Sequence, residues 1–304
     1  MIATNAATRG STAPPTRGTG ARWWWISIIC VILFAALYYL AVWTPTGQSL
    51  ENAALTGAIE DPTNSIEADN DALRVITATS LAVAVAVLAI VGLLRRSWRL
   101  AVAASGTVVV SVGVAEVLKH FILPRPNLLD PSLPADLMVP SYPSGHTTIA
   151  MSLALAALIV VPYRWRGFVM FFVVGWAVGI GALTTAAHWH RLSDTWGAAF
   201  VALTVASLFS LWLLKTGHIS RYTGRALPVR TIYVALLVVT GLVAVALGTL
   251  LVVLTVRQTV SGSVDFQIDL YQAAHVLAYA GSVLGVVTFW GSWRRLESVG
   301  GSGR

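Results

Sequence analysis

The chain has 304 residues, 56% of them hydrophobic and 11% charged, with a net charge of +7. A soluble domain carries about 25% charged residues, so this composition excludes a soluble fold. The basic surplus does not point to nucleic acid either, because Lys and Arg fall in short clusters between apolar runs. The single cysteine, Cys30, excludes an intrachain disulfide and a cysteine-based metal cluster.

Residues 1–21, rich in Thr, Ala, Gly and Pro, read as a structureless cytoplasmic tail. The apolar run after Arg22 is too long and bulky for a signal peptide and lacks a small-residue cleavage site, so it reads as a retained signal anchor. Hydropathy predicts eight helices, at about 23–43, 75–94, 100–119, 147–162, 167–187, 195–214, 231–255 and 270–292. Several of the twelve Trp lie at the ends of these runs, as an interfacial aromatic belt requires. The fold expected is an all-α integral membrane bundle.

Lys and Arg set the orientation. One side holds Arg9, Arg17 and Arg22; Arg95, Arg96 and Arg99; Arg164 and Arg166; Lys215, Arg221, Arg225 and Arg230; and Arg294, Arg295 and Arg304. The other holds Arg74, Lys119, Arg125, Arg191 and Arg257. The first side is then cytoplasmic and carries both termini. The acidic first outer loop, with Glu51, Glu60, Asp61, Glu67, Asp69 and Asp71, reads as a solvated cap. Residues 215–230 read as a cytoplasmic linker to a two-helix appendage at 231–293, followed by a tail at 294–304. The usage of Ala, Val, Arg and Trp suggests a bacterial plasma membrane.

Three helix ends bring charge or imidazole to one outer depth. The third helix ends in Lys119-His120-Phe121-Ile122-Leu123-Pro124-Arg125-Pro126, and the fourth begins Pro143-Ser144-Gly145-His146. The fifth ends in Ala187-His188-Trp189-His190, and Arg191-Leu192-Ser193-Asp194 leads into the sixth. Ser144 and Gly145 open a helix whose free N–H groups and dipole favour an anion. Lys119 and Arg125 add full charges, Arg125 with a fork that fits two oxygens. His190 and Asp194, four apart, share a helix face, whereas His188 has no acid four residues on. His275, Asp265 and Asp269 read as structural, and Gly175-x3-Gly179 reads as a helix-packing motif.

These blocks resemble the type-2 phosphatidic-acid phosphatase (PAP2) family, shared with vanadate haloperoxidases. Its pattern is Lys-x6-Arg-Pro, Pro-Ser-Gly-His and Ser-Arg-x5-His-x3-Asp. Pro143-Ser144-Gly145-His146 matches in full, and His190-x3-Asp194 matches the end of the third block. The first block is one residue short, and Leu183-Thr184 stands where Ser-Arg is expected. Arg191 is the candidate replacement for that arginine. The resemblance implies a six-helix catalytic core at 22–214, with two additional C-terminal transmembrane helices. It implies His190 as a nucleophile forming a phosphohistidine, His146 as acid and base, and Asp194 as the group that orients His190. Lys119, Arg125, Ser144, Gly145 and Arg191 would bind phosphate, with no metal and no other cofactor. The implied activity is hydrolysis of a lipid phosphate or pyrophosphate at the outer face. Phosphatidic acid, phosphatidylglycerol phosphate and polyprenyl (di)phosphates all fit. A phosphotransferase and a non-catalytic lipid-binding scaffold are the alternatives. The implied partners are the lipid substrate and membrane lipids, not nucleic acid.

Overall fold

A computed structural model describes residues 12–15, 18–129, 137, 139–224 and 228–300. Arg9, Arg17, Arg225 and Arg304, used above for orientation, lie outside the described residues. Among the described residues the chain forms ten α-helices: α1 (Thr19–Val42), α2 (Pro45–Glu60), α3 (Ile66–Arg74), α4 (Ala78–Leu94), α5 (Trp98–Val117), α6 (Gly145–Val160), α7 (Tyr163–Ala186), α8 (Leu192–Lys215), α9 (Pro228–Gln258) and α10 (Val264–Ser292). A π-helical turn, Leu118–Ile122, extends α5.

All eight predicted helices are present, and their apolar residues run around the whole circumference, as spans buried in lipid or protein require. Six of them are long and apolar enough to cross a membrane: α1, α5 with its π turn, α7, α8, α9 and α10. The pair α3 and α4, bent by 52°, makes a seventh if taken as one span. At 16 residues, α6 is shorter than these. Its 1.5 Å rise per residue leaves it below the roughly 30 Å of a hydrocarbon core. The protein is thus a multi-pass helical membrane protein, and α6 is a central strut whose residues from Ala154 to Val160 are all buried.

Two elements were not expected. The acidic loop is folded into α2 and α3, with Glu60, Glu67 and Asp71 exposed and Asp61 buried. Thr44 caps α2 by accepting from the Gly47 N–H at 3.0 Å, and Pro45 supplies a preset φ at its first position. α2 packs across α10 and touches α1, so it lies over one end of the bundle. Its short apolar spacing hid this, because a lid helix needs only one narrow buried stripe: Gln48, Asn52 and Leu55.

At the other end, three short antiparallel strands pair in the order β1-β2-β3: Thr12–Ala13, Ile219–Tyr222 and Leu296–Ser298. The segments expected to be a structureless tail and a plain linker therefore contribute strands, and α1 begins already at Thr19. Arg95 locks this end. Its Nη1 donates to Val160 O at 2.8 Å and Ser298 Oγ at 2.6 Å, and its Nη2 donates to Ser298 O. α10 packs against α7 and α8 as well as α9, so the C-terminal pair is joined to the core through α10.

Replacing Arg95 by alanine strands two buried carbonyl groups. It is expected to cost about 2–3 kcal/mol of stability, seen as a lower unfolding temperature in detergent. An unchanged unfolding temperature would show that the sheet does not anchor this end.

Candidate active site

The sequence blocks meet in a cavity of about 490 Å³. Its polar wall is Glu116, Lys119, Gly145, His146, Trp189 and His190; Ile76, Leu81 and Ile149 supply an apolar wall. Each polar group is held by local structure. The π turn widens α5 where Lys119 and His120 leave it, a local geometry common at functional sites. Lys119 Nζ donates to Glu116 Oε1 at 2.8 Å, and Glu116 Oε2 lies 3.0 Å from His120 Nε2. Glu116 thus neutralises part of the charge and holds Lys119 over the start of α6. A Cβ added at Gly145 would stand 3.0 Å from Glu116 Oε1 and 3.6 Å from Lys119 Nζ, so a side chain there would press on the Glu116 carboxylate.

Ser144 is the α6 N-cap, and its Oγ accepts from Thr147 N at 3.3 Å. Its own N–H donates to the main-chain oxygen of Asp194 at 3.0 Å, which ties the start of α6 to the start of α8. The first-turn N–H groups of Gly145 and His146 have no carbonyl partner within the helix, so they remain as anion donors. The His146 ring stands edge-on to Trp189 with centroids 5.0 Å apart.

α7 ends by a left-handed residue at His188, φ 61°, in a position that usually takes glycine. The Thr184 carbonyl accepts from both the Trp189 and His190 N–H groups, at 3.2 and 3.0 Å. The strained residue is held by His188 Nδ1, 2.7 Å from Leu55 O of α2. His188 is therefore occupied by the lid helix, while His190 lines the cavity. His190 Nδ1 lies 3.3 Å from Asp194 Oδ2, which also accepts from Arg191 N at 2.9 Å. With Nδ1 bound to the carboxylate, Nε2 is the nitrogen left for the cavity.

Arg125 and Arg191 meet each other but do not line the cavity. They converge on the side-chain oxygen of Asn52. Arg125 Nη2 donates to it at 3.2 Å, and Arg191 donates through Nε at 3.2 Å and Nη2 at 3.0 Å. Arg191 also donates to Ser141 Oγ at 3.0 Å and Leu137 O at 2.7 Å. α2 grips the Arg125 loop a second time, where Gln48 Nε2 donates to Pro126 O at 2.7 Å. Thr184, where the family pattern has arginine, is buried beside Thr147 and Thr195, its hydroxyl 3.4 and 3.5 Å from theirs. No guanidinium enters from α7; the cations come from the α5–α6 loop and the start of α8. His275, Asp265 and Asp269 do not line the cavity.

Glu51 and Asn52 were missed by sequence reading; only their place in an acidic run hinted at α2. Glu51 Oε1 accepts from Ser193 N at 2.9 Å, while its Oε2 is sealed from water without a partner. Burial first, and then the nearby Asp194 carboxylate, push the Glu51 carboxyl up to about 7.

Residues 100–218 match the family model of the PAP2 superfamily. This segment belongs to the PAP2 superfamily. Searches of curated proteins and of solved structures returned no match. The PAP2 segment contains every site residue predicted from sequence, and it implies phosphatase-type chemistry. α2, which holds two of its arginines, lies outside it.

Because the Glu51 carboxyl is raised from 4.5 to about 7, the folded protein holds that proton more tightly than the unfolded chain does. Its contribution is therefore greatest at low pH and is lost as pH rises through about 7. Glu51→Gln keeps the oxygen that accepts from Ser193 and removes the titration. The unfolding temperature of this variant is expected to fall less between pH 5 and 8 than that of the wild type; parallel curves would contradict the assignment.

Proposed function

We propose that the protein hydrolyses a phosphomonoester or pyrophosphate on a lipid through a phosphohistidine at His190. The observation that carries this reading is the His190–Asp194 pair, with its free nitrogen turned to a cavity that Lys119 and the start of α6 make anion-binding. The phosphate sits between the Lys119 ammonium and the Gly145 and His146 N–H groups. His190 Nε2 attacks phosphorus, forming an N–P bond as the bond to the lipid oxygen breaks. His146 gives its proton to the departing oxygen. A water then attacks phosphorus, His146 takes its proton, the N–P bond breaks and phosphate leaves. Asp194 holds the proton at Nδ1 and stabilises the imidazolium of each transition state. Arg125 and Arg191, fixed by Asn52, bind or compensate the phosphate charge from behind, and Arg191 takes over from the arginine absent at residue 184. The charge on the phosphate is neutralised by these cations and N–H groups, without a metal.

A lipid substrate is supported by a second, apolar cavity of about 420 Å³ that shares Ile76, Leu81 and Ile149 with the polar one. It continues along α4, α6 and α7 to Leu153, Trp176 and Gly179. An added Cβ at Gly175 or Gly179 would meet nothing within 4 Å, so Gly175-x3-Gly179 is not a helix contact. The missing side chain at Gly179 instead leaves room for a lipid tail. By the Lys and Arg distribution this site faces outward from a bacterial plasma membrane, with both termini cytoplasmic and with eight membrane helices.

The test is phosphate release in detergent with EDTA present, from lipid phosphates of long and short chain. His190→Ala is expected to abolish release from all of them. Gly179→Leu is expected to lower release from long-chain lipids about tenfold while sparing short-chain ones, since each buried methylene is worth about 0.8 kcal/mol. No release by well-folded wild type would sink the hydrolase reading. Equal loss on long and short chains would remove the tail groove from it.

A further inference from the structure

A larger cavity lies at the opposite end of α7. It has a volume of about 720 Å³ and opens between the first turns of α7 and α9. Its lining on α7 ends at Phe172, and the rest of α7, to Ala186, separates it from the His190 end by about 20 Å at 1.5 Å per residue. It is therefore unconnected with the phosphatase cavity.

Its walls have two characters. Phe168, Phe171 and Phe172 form an apolar side, each more than half exposed on the outer surface of the bundle. Arg164 and Arg230 form the other side. The Arg230 guanidinium lies 4.1 Å from the centroid of the Tyr163 ring, and its Nη1 is buried without a hydrogen-bond partner. Arg166 is fully buried behind Tyr163, with its guanidinium 5.5 Å from that ring. Only its Nη1 is used, donating to Leu296 O at 2.9 Å; Nε and Nη2 have no partner.

The charges here do not balance. Arg95, Arg166 and Arg230 lie around one acidic side chain, Glu297, among the described residues of this cluster, and Arg164 adds an exposed charge on the cavity wall. Glu297 is already engaged, with Oε1 3.7 Å from Arg95 and accepting from Tyr163 N at 3.2 Å. Buried guanidinium groups without acceptors are costly, and an anion relieves that cost.

We propose that this cavity is a binding site for an anionic phospholipid of the leaflet at the basic end of the bundle. The headgroup phosphate takes the forks of Arg230 and Arg164, and an acyl chain lies along Phe168, Phe171 and Phe172. A free phosphate would satisfy the arginines but leave the apolar wall uncovered, whereas a phospholipid covers both. The occupant is a phosphodiester, so its binding is separate from the monoester chemistry at His190. It would join α7 to α9 across their exposed seam.

The test counts lipids bound to the full-length protein by native mass spectrometry. Phosphatidylglycerol and phosphatidylcholine of matching chains are each titrated in neutral detergent. Phosphatidylglycerol is expected to bind about tenfold more tightly than phosphatidylcholine, the worth of one charge-assisted contact. Arg164→Glu, at an exposed side chain, is expected to remove most of that preference, and R164E with R230Q all of it. His190→Ala is expected to leave the preference intact. Equal binding of the two lipids, or a preference that survives R164E, would overturn the proposal. So would a protein that retains neither lipid but is a dimer broken by R164E, which would assign this face to a second copy of the chain.

Discussion

Two positive guanidinium groups converge on one neutral oxygen, that of Asn52, beside the cavity that His190 lines. Much of the geometry at this end depends on how their repulsion is offset. Asp194, joined by Glu51 once pH rises above about 7, supplies the nearby negative charge, and Asn52 supplies the acceptor that fixes both forks. The same Asp194 carboxylate receives the Arg191 N–H and pairs with His190, so charge compensation and imidazole orientation are one arrangement. α2 therefore acts as a structural part of the site although it lies outside the PAP2 segment. It grips the Arg125 loop through Gln48, the arginines through Asn52, and His188 through the Leu55 carbonyl.

What was legible in the sequence was whatever stands out against an apolar background. Lys119, His146, His190 and Asp194 are charged or imidazole groups at the ends of long hydrophobic runs, and the structure brings all four together. The eight apolar helices were legible for the same reason, since their periodicity is swamped by length and hydropathy. Whether α4 and α6 each cross the membrane was not, because length alone leaves them short.

The rest depended on tertiary contacts that carry no local signal. Asn52 and Arg191 are 139 residues apart, and nothing near Asn52 resembles the family pattern. α2 has a narrow buried stripe in a polar, acidic stretch, which reads as a loop. Arg125 and Arg191 were expected at the phosphate itself, yet their forks turn behind the cavity because Asn52, Ser141 and the Leu137 carbonyl offer acceptors there. Arg166, counted in the sequence only among the cations of the cytoplasmic side, is fully buried among aromatic rings. Gly175-x3-Gly179 has the spacing of a packing motif, but among the described residues nothing lies within 4 Å of a Cβ added at either glycine.

In the proposed mechanism His190 carries the phosphoryl group. The most direct measurement is rapid quenching of turnover on a ³²P-labelled lipid phosphate, followed by assay of label on the protein. A phosphoramidate at His190 is stable in alkali and lost in acid. Such label is expected on wild type and on His188→Ala, and none on His190→Ala. Label that persists in His190→Ala, or turnover by wild type that passes through no labelled protein, would contradict it.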